Sequence, residues 1–261
     1  MIKSTKEREA TRREIAEYSK RLMLSTQVVD LCEQEATPKQ EEFLRRVLID
    51  EIDRRERNRK TRLLTKAGFP TLKSFGEYEF TAIRFPPALS KEELLSIDFI
   101  AEKKNLVLYG AVGTGKTHMA IALGALACEA GYKVRFYTVT ELVLKLSEAY
   151  KNGTLERLVR DVKGLDLLIL DEWGYVPVDK EGSQLLFRII ADSYESKSLI
   201  LTTNLEFSKW GGIFTDEQMA AAMIDRLVHH GHLLIFEAKS YRMTHALMRR
   251  STPVEKPVEE E

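Results

Sequence analysis

The sequence predicts an α/β fold in which helices sandwich a five-stranded parallel sheet, with a small all-helical domain in front. Three observations carry this reading. From Leu94 onward, short apolar runs alternate with amphipathic stretches of helical period. One of these junctions, between Asn105-Leu-Val-Leu-Tyr109 and the helical stretch Met119 to Glu129, holds Gly110-Ala-Val-Gly-Thr-Gly-Lys-Thr117, an uninterrupted G-x-x-x-x-G-K-T. Residues 1 to about 66 are instead highly charged, with apolar residues at helical spacing and no strand pattern.

The first of these helical apolar sets is Ile15, Tyr18 and Leu22. A second, Phe43, Leu44, Val47, Leu48 and Ile52, follows Pro38, so two or three helices are expected over residues 1–66. Gly68-Phe-Pro70 and Phe85-Pro-Pro87 mark irregular connectors, and residues 67–93 read as a linker. Its aromatics, Phe69, Phe75, Tyr78, Phe80 and Phe85, are expected to pin it to the following domain, with partner docking as the alternative. The second domain, residues 94–250, has strand candidates Leu106–Tyr109, Val134–Tyr137, Leu167–Leu170, Leu199–Thr202 and Leu233–Phe236. The helices between them are Lys116–Ala130, Thr140–Tyr150, Leu155–Val162, Gly182–Ser196 and Gln218–His229, with Thr140 and Glu141 opening the second as a cap followed by an acid. The Pro- and Glu-rich residues 251–261 are expected to be a disordered acidic tail.

Composition narrows the function classes. No apolar run is long enough to span a bilayer. The only cysteines, Cys32 and Cys128, lie in helix-like stretches, which points to a reducing, cytoplasmic setting. Lysine plus arginine equals aspartate plus glutamate at 40 each, so net charge says nothing of a nucleic-acid partner. The distribution says more: Arg54, Arg55, Arg57, Arg59, Lys60, Arg62 and Lys66 are interrupted by one acid, Glu56. By itself such a run reads as a solvated helix face.

The glycine-rich loop implies nucleoside triphosphate binding. Small residues at Gly110, Ala111, Val112, Gly113, Thr114 and Gly115 let backbone N–H groups turn toward a β-phosphate, and the helix behind adds its positive N-terminal end. Lys116 would bridge the β- and γ-phosphates, and the Thr117 hydroxyl would hold Mg²⁺. Leu167-Leu-Ile-Leu-Asp171-Glu172 is a buried strand ending in two acids. Asp171 is the second Mg²⁺ candidate, and Glu172 would polarise the attacking water. Successive side chains on a strand face opposite ways, but at the C-terminal end of a parallel sheet both acids can reach the crevice where ligands bind. Asn204, after the strand Leu199–Thr202, can bond the attacking water or the γ-phosphate, although a turn-forming asparagine is the plainer alternative. Arg226 and Arg242 could each supply charge for phosphoryl transfer or be surface residues.

In order, the motifs Gly110–Thr117, Leu167–Glu172, Thr202-Thr-Asn204, Asp225-Arg-Leu227 and Ser240-Tyr-Arg242 resemble AAA+ ATPases of the initiator and helicase-loader clade (DnaA and DnaC type). More closely, Gly115-Lys-Thr-His-Met-Ala-Ile-Ala-Leu-Gly124, Ala130-Gly-Tyr-Lys-Val-Arg-Phe136, Asp171-Glu-Trp-Gly-Tyr-Val-Pro177 and Asp225-Arg-Leu-Val-His-His230 resemble the IstB family, ATP-binding helpers of insertion-sequence transposases. The resemblance is dense over residues 66–245 and loose before them. It implies an AAA+ P-loop core with ATP and Mg²⁺ as cofactors. It also implies a homo-oligomer that assembles on duplex DNA under ATP control and a cognate transposase as partner. By the same resemblance His118 joins the nucleotide-binding loop, Arg226 is an arginine finger acting on a neighbouring subunit, and Arg242 is a sensor acting within its own. The loop interior departs from the usual proline-rich form at Ala111-Val112, where backbone groups do the work. With DNA as a partner, Arg54, Arg55, Arg57, Arg59, Lys60 and Arg62 become phosphate-contact candidates, as do Lys145, Lys151, Arg157, Arg160 and Lys163. A helicase loader would share every ATPase motif, and a P-loop small-molecule kinase would share the loop alone.

Overall fold

Alternate residues of the central strands are apolar on both sides, so the sheet must be covered on both faces. The computed structural model describes residues 5–174, 179–212, 217–238 and 240–241, and divides into two compact units, Met1–Arg62 and Leu63–Glu261. The tail 251–261 and Arg242 lie outside the described residues.

The second unit contains strands β1 (Ile83–Arg84), β2 (Asn105–Gly110), β3 (Val134–Thr138), β4 (Leu167–Trp173), β5 (Ser198–Thr203) and β6 (Gly231–Phe236). They form one sheet in the order β1-β6-β2-β5-β4-β3. The five expected strands pair in parallel, and β1 adds a short antiparallel edge, Ile83 facing Phe236 and Arg84 facing Ile235. The added strand comes from the segment read as linker. Two residues between turn signals carry no period that a sequence reading can detect.

The first and second units contribute, in chain order, α1 (Thr5–Arg21), α2 (Gln27–Glu35), α3 (Pro38–Ala67), α4 (Lys91–Ser96), α5 (Asp98–Ala101), α6 (Lys116–Glu129), α7 (Val139–Lys151), α8 (Leu155–Lys163), α9 (Lys180–Ser193) and α10 (Glu217–His229). Leu167 and Ile169 of β4 join a core with α6, whereas Leu168 and Leu170 join one with α7 to α10. Helix α6 is buried on nearly all sides, which explains its run of alanine and leucine with little polar face. The cap of α7 is Thr138, not Thr140: its hydroxyl accepts from Glu141 N–H at 3.2 Å, because β3 runs directly into the helix and Val139 is already its first residue.

In the first unit a small core joins Ile15, Leu22, Cys32, Leu48 and Ile52. Phe43 and Val47, two of the apolar residues whose spacing predicted this helix, are 69% and 45% exposed. The inward face of α3 runs through Glu41, Leu44, Leu48 and Ile52, and Phe43 and Val47 lie to one side of it. Glu41 is buried, yet Arg8 and Arg12 bond its carboxylate at 3.0 and 2.8 Å. Burial pushes that carboxyl up, and the two guanidinium hydrogen bonds outweigh it, leaving the pKa below its ordinary value. Arg8 and Arg12 also donate to Ala36 O and Glu33 O, so one ion cluster ties α1 to the α2–α3 turn.

At the opposite end of the strands from the phosphate loop, just before β5, Lys197 is 1% exposed and its ammonium donates to Val162 O. Burial lowers its pKa from 10.5 to about 8. Between these values the unfolded chain holds a proton that the folded chain has lost, so the folded state gains stability as pH rises through that window. Relative to Lys197→Met, the wild-type protein should gain about 2 kcal/mol from pH 8 to pH 10.5, a figure reduced for solvent screening. Urea unfolding of both proteins across that range would measure it, and parallel profiles would refute the assignment.

Candidate functional site

The loop between β2 and α6 is shaped by glycines under contact from outside. Gly113 has φ +81° and a side chain there would overlap Ser240 Oγ; Gly115 has φ +97° and a Cβ would meet the Tyr78 hydroxyl at 3.0 Å. Both positions therefore need glycine for conformation and for space. The Tyr241 N–H donates to Gly113 O at 3.0 Å, and the Tyr78 hydroxyl to Gly115 O at 3.2 Å. Chain segments before and after the core thus hold the loop, and the segment leading into Arg242 lies directly on it. Burial raises the Tyr78 pKa, keeping it a neutral donor.

Ala111 and Val112 form the exposed part of the loop, and Thr114 is buried, donating to Ala111 O at 2.8 Å. The Lys116 ammonium is buried and donates to Gly110 O and Ala111 O at 2.8 and 2.6 Å. The Thr117 hydroxyl donates to both Asp171 oxygens at 2.9 and 3.1 Å, so the two Mg²⁺ candidates from distant parts of the chain are in contact. Paired hard oxygen donors beside a phosphate loop suit a small divalent cation. His118 bonds Ser74 O at 2.7 Å and packs 4.9 Å from the Tyr78 ring, so linker aromatics pack beside the loop.

The acid pair lies at a break in the strand. Leu170 pairs with Leu201 and Trp173 with Thr203, leaving Asp171 and Glu172 opposite Thr202 alone. This two-against-one count is a β-bulge. Glu172 accordingly takes φ +62°, uncommon for a side-chain-bearing residue. The effect is visible in the packing: Leu168, Leu170 and Trp173 enter the same core at spacings of two and then three. Asp171 is buried against Thr117, whereas Glu172 is exposed.

Strand β5 lies between the loop strand β2 and the acid strand β4. The turn after it therefore carries Asn204 to the edge between the loop and the acids. Asn204 Oδ1 is buried without a hydrogen-bond partner among the described residues. Arg226, on α10, donates to Ala222 O at 2.8 Å, and its guanidinium lies 5.4 Å from the Phe187 ring centroid. Sequence reasoning missed the hydroxyls of Thr202 and Thr203 and the Tyr78 contact. The one available signal was a pair of threonines closing an otherwise apolar buried strand.

All the basic candidates are exposed: Arg54, Arg55, Arg57, Arg59, Lys60 and Arg62 on α3, and Lys145, Lys151, Arg157, Arg160 and Lys163 on α7 and α8. From Asp53 to Arg62 every residue of α3 is exposed, so its basic side chains surround the helix and do not form one stripe. Arg55 pairs with Glu51 and Lys145 with Glu141, each at 2.8 Å. Among the described residues, no helix is long and apolar enough to cross a membrane.

A parallel sheet with the loop strand and the acid strand separated by a polar-ended strand makes the second unit an ATP-binding P-loop domain of the AAA+ class. The IstB-like ATP binding protein family model matches residues 22–249, and the chain belongs to that family. It is 36% identical over 241 residues to an ATP-binding protein of insertion sequence IS21 from Pseudomonas aeruginosa, covering 88% of this chain and 90% of that one. It is 38% identical over 202 residues to an ATP-binding protein of insertion sequence IS5376 from Geobacillus stearothermophilus, covering 77% and 80%. Solved structures overlap more loosely: a DnaC helicase loader at 23% identity and TM-score 0.46, over 62% of this chain and 96% of that one. The replication initiator DnaA bound to AMPPCP and single-stranded DNA has 24% identity and TM-score 0.48, over 56% of this chain and 45% of that one.

Proposed function

We propose that this chain is an ATP-dependent, DNA-binding AAA+ regulator of transposition. It assembles as a homo-oligomer on duplex target DNA and recruits and activates a partner transposase, with hydrolysis controlling assembly. The observation that carries the reading is the contact of Thr117 of the phosphate loop with Asp171, the neighbour of bulged Glu172, in a family of insertion-sequence proteins. An ATP-binding adaptor without turnover has no need of that acid pair.

In this mechanism Lys116 exchanges its loop carbonyls for the β- and γ-phosphates, and Thr117 with Asp171 holds Mg²⁺, which neutralises charge on the phosphate oxygens when bound. Glu172 takes up the proton of the attacking water as it adds to the γ-phosphorus, and Asn204 Oδ1 accepts that water's other hydrogen. Arg226 of a neighbouring subunit and Arg242 of the same one stabilise charge on the departing diphosphate, so turnover depends on assembly. The exposed arginines and lysines of α3, α7 and α8 contact backbone phosphates, giving weak sequence preference and steep salt dependence.

Sedimentation velocity with random-sequence duplex or single-stranded DNA, in ATP with Mg²⁺ or in ADP, tests this reading. A large complex on duplex DNA in ATP alone is the expected result. Preference for single strands would replace it with helicase loading, and a monomer indifferent to DNA would refute it.

A further inference from the structure

The bulge at Asp171 and Glu172 creates a local problem, because the extra residue takes a backbone N–H out of the ladder in the sheet interior. Thr202, the residue opposite, is 2% exposed and answers it with its side chain. Its Oγ accepts from the Glu172 N–H at 3.1 Å and donates its own proton to Asp171 Oδ1. One hydroxyl thus holds the backbone of one acid and the carboxylate of the other. The next residue grips the far side of the bulge: Thr203 Oγ donates to Trp173 O at 2.9 Å and accepts from Leu205 N–H at 3.0 Å, across the turn that presents Asn204.

We infer that Thr202 is a positioning residue for hydrolysis: its hydroxyl stabilises the bulge at Glu172 and sets the direction of the Asp171 carboxylate toward Thr117. Thr202 acts through the two acids and not on the nucleotide, and the inference rests on the hydrolytic reading of those acids. A methyl-bearing isostere fills the same volume but neither accepts nor donates. Valine would therefore orphan the Glu172 N–H and release Asp171, whereas serine keeps both bonds.

The test compares Thr202→Val and Thr202→Ser with the wild-type protein by steady-state ATP turnover and by affinity for a fluorescent non-hydrolysable ATP analogue in Mg²⁺ and in EDTA. Valine is expected to lower kcat by about 10-fold to 100-fold, with affinity in EDTA changed less than about 3-fold. The ratio of affinity in Mg²⁺ to that in EDTA should fall several-fold with valine, and serine should restore both readouts. Wild-type kcat and an unchanged ratio in Thr202→Val would overturn the inference, as would a serine variant as impaired as valine at equal thermal stability. If valine prevents folding, Thr202→Ala takes its place against serine. A wild-type protein that binds the analogue without turning over ATP would instead refute the hydrolytic reading, and the Mg²⁺-to-EDTA ratio would still decide the role of Thr202.

Discussion

Glu172→Gln is expected to lower ATP turnover by about 100-fold or more while nucleotide affinity stays within about 3-fold of wild type. Glutamine preserves size and the left-handed backbone at +62°, so the bulge and the Thr202 contact to its N–H survive. What is lost is the proton acceptor. Glu172 is exposed and is not the residue bonded to Thr117, so removing its charge leaves the Asp171 contact in place. The variant should therefore accumulate in the ATP state and, in the proposed mechanism, form more persistent complexes on duplex DNA. Rapid-quench turnover with equilibrium analogue binding separates the two quantities. Retained turnover would move the base to another residue.

Arg226→Ala is expected to reduce DNA-stimulated hydrolysis by about 1000-fold, with ATP binding by the isolated subunit unchanged. The arginine is held on its own helix by Ala222 O and lies over Phe187, contacts with no part in binding nucleotide. A group acting on a neighbour predicts complementation. Arg226→Ala keeps intact acids, Glu172→Gln keeps an intact finger, and a mixture of the two creates interfaces with both. Activity in the mixture well above either variant alone is the result that demonstrates action between subunits, and its absence would return Arg226 to a structural role. Lysine should not substitute, because a point charge lacks the planar fork that spans two phosphate oxygens.

The phosphate loop was legible in the sequence because its physics is local: Gly110 to Thr117 needs only the strand before it and the helix after it, which Asn105–Gly110 and Lys116–Glu129 supply. The alternating apolar runs were equally local and yielded the five parallel strands. Spacing marked the N-terminal helices but not which of their residues face inward. Phe43 and Val47 have helical spacing, but Glu41 with its two arginines took the inward face. Thr138, the last residue of β3, was available as a cap, and the strand's end, invisible in composition, selected it over Thr140.

By itself, then, the sequence determined an ATP-binding phosphate loop and a parallel sheet covered on both faces, and it named the lysine, hydroxyl and acids proposed to act there. Only the tertiary structure decided what surrounds Asp171 and Glu172. Their break in register lies opposite Thr202, whose hydroxyl bonds both residues from a strand that becomes their neighbour only when the sheet forms. The same holds for Tyr78 and Tyr241 on the loop glycines. A loop's own conformation is written in its neighbours along the chain, whereas the groups that hold it arrive from residues far away, and their choice is made by packing.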